Sequence, residues 1–213
     1  MIKILILLLA FQGINMAIDE PKYTLIEKND IYELREYAPY LVAQTEVTGN
    51  FDDMGGKAFR ILFKYISGEN QQSSKIKMTA PVIQENTNQD GQKIKMTAPV
   101  IQEIDSSNSQ RAVYSFVMPL HFTLDTLPLP LDKRISIKEI PAKTVAVRVF
   151  SGGWGEENYK NNEAILLNAL SKANIKIIGK PNFARYNSPF SFWFMRRNEI
   201  IIEIDKSQKL IED

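Results

Sequence analysis

The sequence predicts an α+β fold on three observations: segments with the period-two alternation of half-buried strands, two segments with the 3.6-residue period of amphipathic helices, and the return of the same order of elements about a hundred residues later. Ile31, Glu33 and Arg35 alternate with Tyr32, Leu34 and Glu36, Pro39 supplies a turn, and Tyr40–Val47 is rich in strand formers before Gly49. After Asp52 the period changes. Met54, Ala58, Ile61, Leu62, Tyr65 and Ile66 share one helix face, Asp52 and Asp53 suit its positive N-terminal end, and Gly68 stops it.

The second half repeats this order. Arg134–Ile140 alternates, Pro141 turns, Thr144–Phe150 forms a strand, Gly152 and Gly153 break it, and Trp154 stands where Phe51 stood. A second helix is expected from about Glu156 to Ala173, with Tyr159, Leu166, Leu167, Leu170 and Ala173 on one side. Strand-like segments follow each helix, Ile76–Ile83 and Val113–Met118 after the first, Phe183–Asn187 and Glu199–Ile204 after the second. The chain therefore reads as a duplicated strand-strand-helix-strand-strand unit (about 22–120 and 130–206). Two such units can close into an eight-stranded distorted antiparallel barrel flanked by two helices, which covers the strand edges.

A shorter repeat lies inside the first unit. KIKMTAPVIQE occurs at Lys75–Glu85 and again, identically, at Lys93–Glu103. Two copies are too few for a solenoid, so a local duplication is the simpler reading, with one copy in the barrel and the other in an added hairpin arm. Pro81 and Pro99 place both copies at a strand end or a sheet edge.

Composition narrows the function. The 213 residues carry 26 Lys and Arg against 25 Asp and Glu, interspersed, for a net charge of +1. No basic stripe recruits nucleic acid or an anionic membrane. The absence of cysteine excludes disulfides, thiol nucleophiles and iron–sulfur clusters, and His121 is the only imidazole. The Gly152–Gly155 stretch lacks the spacing of a phosphate-binding loop and leads into Glu156 and Glu157, so no enzyme is expected. Residues 1–17 read as an export signal: Lys3, an apolar run over Ile4–Phe11 too short to span a bilayer, and Ala17 before a cut at Ile18, with Asn15 departing from the small-x-small pattern. The expected mature chain is a single domain over 18–213, periplasmic or secreted and without a stable membrane span.

Several motifs resemble the SOUL, or haem-binding protein, family: YELREYAPYLVA at Tyr32–Ala43, FRILFKYISGEN at Phe59–Asn70, both copies of KIKMTAPV, FVMP at Phe116–Pro119, LPLPLD at Leu127–Asp132 and RRNEI at Arg196–Ile200. They run in order through nearly the whole mature chain. The resemblance implies a duplicated eight-stranded barrel with two helices. It also implies an apolar groove beside the first helix, credited with binding haem and other tetrapyrroles, and a first-helix lysine that corresponds to Lys64. Ser191 fills a place where some relatives carry a second basic residue.

A groove for haem needs apolar and aromatic walls and cations at its rim. The first helix offers Met54, Phe59 and Phe63 beside Arg60 and Lys64, and PFSFWF at Pro189–Phe194 offers Phe190 and Trp193 for stacking on a ring. The same aromatics are the usual filling of a barrel core, and Arg196 and Arg197 the usual partners of Glu199. An iron ligand, if any, is His121, with Met78 and Met96 as weaker thioether candidates. The expected function is non-enzymatic binding of haem or a related tetrapyrrole. The alternatives are a protein partner that pairs with the duplicated arm, and another amphipathic small molecule in the same groove.

Overall fold

The computed structural model describes residues 19–71, 91–105, 108–187 and 190–206. Strands β1 (Tyr23–Lys28), β2 (Glu33–Tyr37) and β3 (Tyr40–Thr48) lead into helix α1 (Phe51–Ile66). The chain continues with β4 (Asn70–Gln71), β5 (Val100–Asp105), β6 (Asn108–Val117) and β7 (Leu129–Pro130). Strands β8 (Ile135–Ile140) and β9 (Lys143–Phe150) lead into α2 (Glu156–Lys172), followed by β10 (Asn182–Arg185), a 3-10 turn at Trp193–Met195 and β11 (Asn198–Glu203).

Both helices start where expected and for matching reasons. Each strand-to-helix turn passes through a glycine with positive φ, Gly49 at 146° and Gly152 at 118°, a backbone that a side chain disfavours. Asp52 and Asp53, and Glu156 and Glu157, then occupy the first helical turns, where the helix dipole favours negative charge.

Nine strands form one antiparallel sheet in the order β1-β2-β9-β11-β10-β5-β6-β3-β8, curled into a distorted half-barrel. The duplication is visible in this order. Exchanging each strand for its repeat partner (β2 with β8, β3 with β9, β5 with β10, β6 with β11) reverses the sequence β2 to β8, so a pseudo-twofold axis passes between β5 and β10. The two strands of each N-terminal hairpin are not neighbours: β2 pairs with β9 and β3 with β8. Each unit thus hands a strand to the other, and neither half-sheet is complete alone. Strand β1 adds a ninth, and its alternation is poor because Leu25 and Ile26 are adjacent and both exposed.

Strand β5 belongs to the second KIKMTAPVIQE copy. Ile94, Thr97 and Ala98 are buried, the Ile94 N–H donates to the Ile66 carbonyl at 2.7 Å, and Pro99 stands just before the strand. The first copy, with the strand expected at Ile76–Ile83 and the thioether of Met78, lies outside the described residues. Met96 is described and 43% exposed.

The helices cover one face of the sheet. Leu62 and Ala58 of α1 pack with Leu41, Ala43, Tyr114 and Phe116, while Leu166 and Leu170 of α2 pack with Leu34, Ala146, Phe183, Ile200 and Ile202. Burying each large apolar side chain contributes about 1.5–3 kcal/mol. The other face holds Val42, Val117, Val145, Val147 and Ile201 with Tyr37, Tyr40 and Tyr186.

Within that inner face sits a buried carboxylate, Glu199, with no exposed surface. Arg35 Nη1 approaches its Oε2 at 3.1 Å, Arg197 Nη2 donates to Oε1 at 2.8 Å, and the Tyr186 hydroxyl donates to Oε2 at 2.6 Å. Burial opposes the charge on both arginines, but Glu199 together with their other partners outweighs it and holds each guanidinium above its ordinary range. Glu33 completes the bonding of Arg35, and Glu20 that of Arg197.

Glu199→Ala leaves the buried Arg35 guanidinium with only one of its two carboxylates and is expected to lower stability by about 3–5 kcal/mol in urea unfolding. Arg111→Ala, which breaks an exposed pair with Glu46, is expected to leave the midpoint near that of the parent.

Candidate functional site

Helix α1 presents three different surfaces. Met54 has no exposed area and packs in the core beneath the helix, away from any ligand at the surface. On one flank Phe59 and Phe63, four residues apart, stack with centroids 5.5 Å apart and planes 15° apart. Phe59 also leans on Phe116 of β6, and Phe63 is 43% exposed. The opposite flank, with Lys57, Ile61 and Lys64, faces Val47, Thr48 and Arg134 across a groove of about 530 Å³, and Arg60 reaches its edge.

Lys57, Arg60, Lys64 and Arg134 line that groove together with Glu46. Lys57 Nζ donates to the Thr48 carbonyl at 3.2 Å, and Lys64 meets Glu69 at 3.6 Å with both side chains largely exposed, a weak pair in water. Hydrogen bonds from Arg134 hold the Asp132 carboxyl down at about 2. Arg60 is exposed and has no ion pair among the described residues.

The segment after β10 is the more unusual feature. Phe190, Phe192, Trp193, Phe194 and Met195 are 96, 69, 64, 57 and 67% exposed. Phe192 stacks on Phe194 at 5.6 Å, and Trp193 meets Phe194 edge-on at 5.7 Å. The backbone beneath them is fastened. The Gly152 N–H donates to the Trp193 carbonyl at 3.1 Å, and Arg196 Nε donates to the Ser191 carbonyl at 3.0 Å. The Arg196 guanidinium lies 4.2 Å above the Trp154 ring, whose Nε1 donates to the buried Asn198. Five large apolar side chains on a fastened turn form the kind of exposed patch that marks a binding surface.

The expected site residues therefore fall in separate places. Phe59 joins Phe63, Arg60 and Lys64 line the other flank, and no ring contact links the Phe59–Phe63 pair to Phe192–Phe194 among the described residues. A path of contacts does connect the turn to α1, from Arg196 to Trp154, from Trp154 to Arg185, and from Arg185 to the backbone at Gly55. His121 is exposed in the connection after β6, its ring 4.2 Å from Phe122. Beside it a cavity of about 430 Å³ opens between Leu41, Met118, Leu124 and Glu139. Among the described residues no three His, Cys, Asp or Glu side chains form a metal-ligand set, and no helix is long and apolar enough to cross a membrane.

Sequence reasoning misses a row of polar side chains beneath α1: Thr45, Tyr114, Gln102 and Arg185. The signal is a polar group on the inward, otherwise apolar face of each of four strands.

The family model of the SOUL heme-binding protein family matches residues 18–90 and 83–203, so each stretch carries one KIKMTAPVIQE copy. Heme-binding protein 2 of Homo sapiens is 28% identical over 179 residues, covering 79% of this chain and 79% of the relative. Heme-binding protein 2 of Mus musculus is 27% identical over 205 residues, covering 89% and 91%. Among solved structures the EcmrR C-terminal domain superposes with a TM-score of 0.57 at 11% identity, over 86% of this chain and 98% of that one. A hydrolase from Listeria innocua reaches 0.54 at 10% identity, over 84% and 94%. At such identities these two share the fold alone.

The exposure of the turn can be read optically, because Trp193 and Trp154 are the only tryptophans. Acrylamide is expected to quench the native protein strongly, and Trp193→Phe to remove most of the quenchable emission.

Proposed function

The chain belongs to the SOUL heme-binding protein family, and from that premise we propose that it binds haem or a related tetrapyrrole reversibly and without catalysis. The proposed surface is the aromatic turn Phe190–Met195 together with the Phe59–Phe63 flank of α1. The observation that carries this reading is the exposure of Phe190, Phe192, Trp193, Phe194 and Met195 on a backbone fastened at Ser191 and Trp193. These rings do not fill the core, and a planar apolar ligand would recover the burial they lack.

Arg60, exposed and unpaired, and Lys64, in a weak pair, are the proposed cations for ring carboxylates at the edge of α1. The proposed surface contains no imidazole, since the sole histidine lies in the connection after β6 beside Phe122. Stacking and charge therefore hold the ring in this reading, with the iron not ligated by His121.

Hemin titration followed by Soret absorbance is expected to show saturable one-to-one binding. The Phe192→Ala/Trp193→Ala variant should raise Kd at least about tenfold, the equivalent of 1.4 kcal/mol, while far-UV circular dichroism stays unchanged. His121→Ala should leave both Kd and the Soret maximum as they were. Non-saturating association in the parent, or a large effect of His121→Ala with none from the turn, would overturn the reading.

We also propose that residues 1–17 direct export to the periplasm or the exterior. Intact-mass analysis of protein recovered from outside the cytoplasm is expected to show a chain starting at Ile18. Full-length chain in the cytoplasm would exclude it.

A further inference from the structure

Four buried side-chain atoms among the described residues have no hydrogen-bond partner: Thr45 Oγ1, Tyr114 Oη, Gln102 Nε2 and Arg185 Nε. They are not scattered. Thr45 pairs with Tyr114 across β3 and β6, Tyr114 with Gln102 across β6 and β5, and Arg185 Nη2 donates to Gln102 Oε1 at 2.8 Å. The four residues form one polar row across four neighbouring strands, on the face that α1 covers. Thr45, Gln102 and Tyr114 are each 1% exposed. Native proteins leave few buried polar groups unpaired, so a contiguous row of them asks what completes it.

The row is rich in donors. Gln102 Nε2 and Arg185 Nε can only donate, and the one carbonyl oxygen of Gln102 is already taken by Arg185. The Arg185 guanidinium is packed among the rings of Phe183 at 4.8 Å, Trp154 at 5.5 Å and Tyr114 at 5.9 Å, and has no carboxylate in ion-pair contact among the described residues. Burial pulls it below its ordinary range and pushes the Tyr114 hydroxyl up to about 12, the two groups partly offset this by their contact with each other, and Asp52 acts on both through space. Above them the backbone of α1 comes so close that a β-carbon at Gly55 would stand 2.7 Å from Arg185 Nη1. Asp52 and Asp53 in the first turn of α1 already answer its positive terminus, so the guanidinium and the Gln102 amide carry the site.

A water molecule would answer this row poorly, since it must place two protons of its own and finds only hydroxyl oxygens to take them. A carboxylate accepts from every donor and neutralises the guanidinium. We infer that Arg185, Gln102 and Tyr114 form a binding site for a carboxylate, entered beside Gly55 at the start of α1. The carboxylate belongs either to a tetrapyrrole side chain, which deepens the function proposed above, or to a separate small acid, in which case the site stands without that reading.

Trp154 reports on the guanidinium. In a Trp193→Phe background, where Trp154 is the sole tryptophan, propionate is expected to change its emission saturably, and propionamide at matched ionic strength is not. Arg185→Gln should abolish the propionate response. Tyr114→Phe, which keeps the ring and removes only the hydroxyl beside the guanidinium, should weaken the propionate response about three- to tenfold while far-UV circular dichroism stays unchanged; a merely structural tyrosine would leave the propionate response as it was. Hemin and its dimethyl ester separate the two sources. If Arg185→Gln weakens hemin but not the ester, the tetrapyrrole supplies the carboxylate. If propionate binds while hemin binds unchanged or not at all, the site serves a different acid. No saturable propionate response in the parent, together with equal hemin binding by the parent and Arg185→Gln, would falsify the inference.

Discussion

The pairing of Glu199 with Arg35 and Arg197 is the constraint on which the rest of the structure leans. A carboxylate with no access to water is tolerable only when fixed positive charge and hydrogen bonds replace its hydration. Here the replacements come from elements far apart in sequence: Arg35 on β2, Tyr186 just after β10, and Arg197 just before Glu199 itself. Strand β11 therefore cannot slip by one residue along β9, because a slip would turn Glu199 to the helix-facing layer among Leu166, Leu170 and Ile202 and leave two arginines behind. One polar cluster sets the register of an otherwise apolar sheet.

That register matters because the two halves are interleaved. The exchange of β2 and β8 between repeats makes strand pairing long-range, and no half-sheet forms from one unit alone. The same arrangement explains how the chain absorbs a duplicated segment. The extra residues enter between α1 and β5, and lengthening a connection costs little, about 0.6 kcal/mol per doubling. The second copy supplies part of β5 itself, and the chain leading into it is held by Asn70, whose side chain accepts from the Gln92 N–H at 3.0 Å and donates to the Gln92 carbonyl at 2.8 Å.

The fold was legible in the sequence wherever one face is apolar and the other wet. Helix α2 needed only the spacing of Tyr159, Leu166 and Leu170, and β8 only the alternation of Ile135 and Ile137 with Ser136 and Lys138, because periodicity is a direct consequence of one-sided burial. Strand β1 was not legible, since Leu25 and Ile26 sit side by side at a sheet edge that buries neither. Aromatic content alone could not say that PFSFWF leaves the core, because filling a barrel and paving its surface call for the same residues. Nor could it show that Phe59 and Lys64 face away from each other, which depends on how α1 rolls onto β3 and β6. The polar row was least visible of all, because its four members are separated in sequence and meet only through register.

The RRNE segment joins these levels. Arg196 turns outward and stacks on Trp154, bracing the aromatic turn from below, while Arg197 turns inward to Glu199 and Tyr186. Asn198 follows, fully buried, accepting from Trp154 Nε1 and donating to the Gly152 carbonyl. Three consecutive residues thus tie the turn to the barrel interior, to the start of α2, and through Trp154 to Arg185 under α1. An exposed apolar turn is costly to keep open, because its rings gain by folding back onto the nearest apolar surface. Part-buried hydrogen bonds of Arg196, Arg197 and Asn198 oppose that collapse, since withdrawing the rings would strain them. The energy that holds the aromatic surface open is therefore stored in the core, and the polar contacts of Arg196, Arg197 and Asn198 are where core and surface meet.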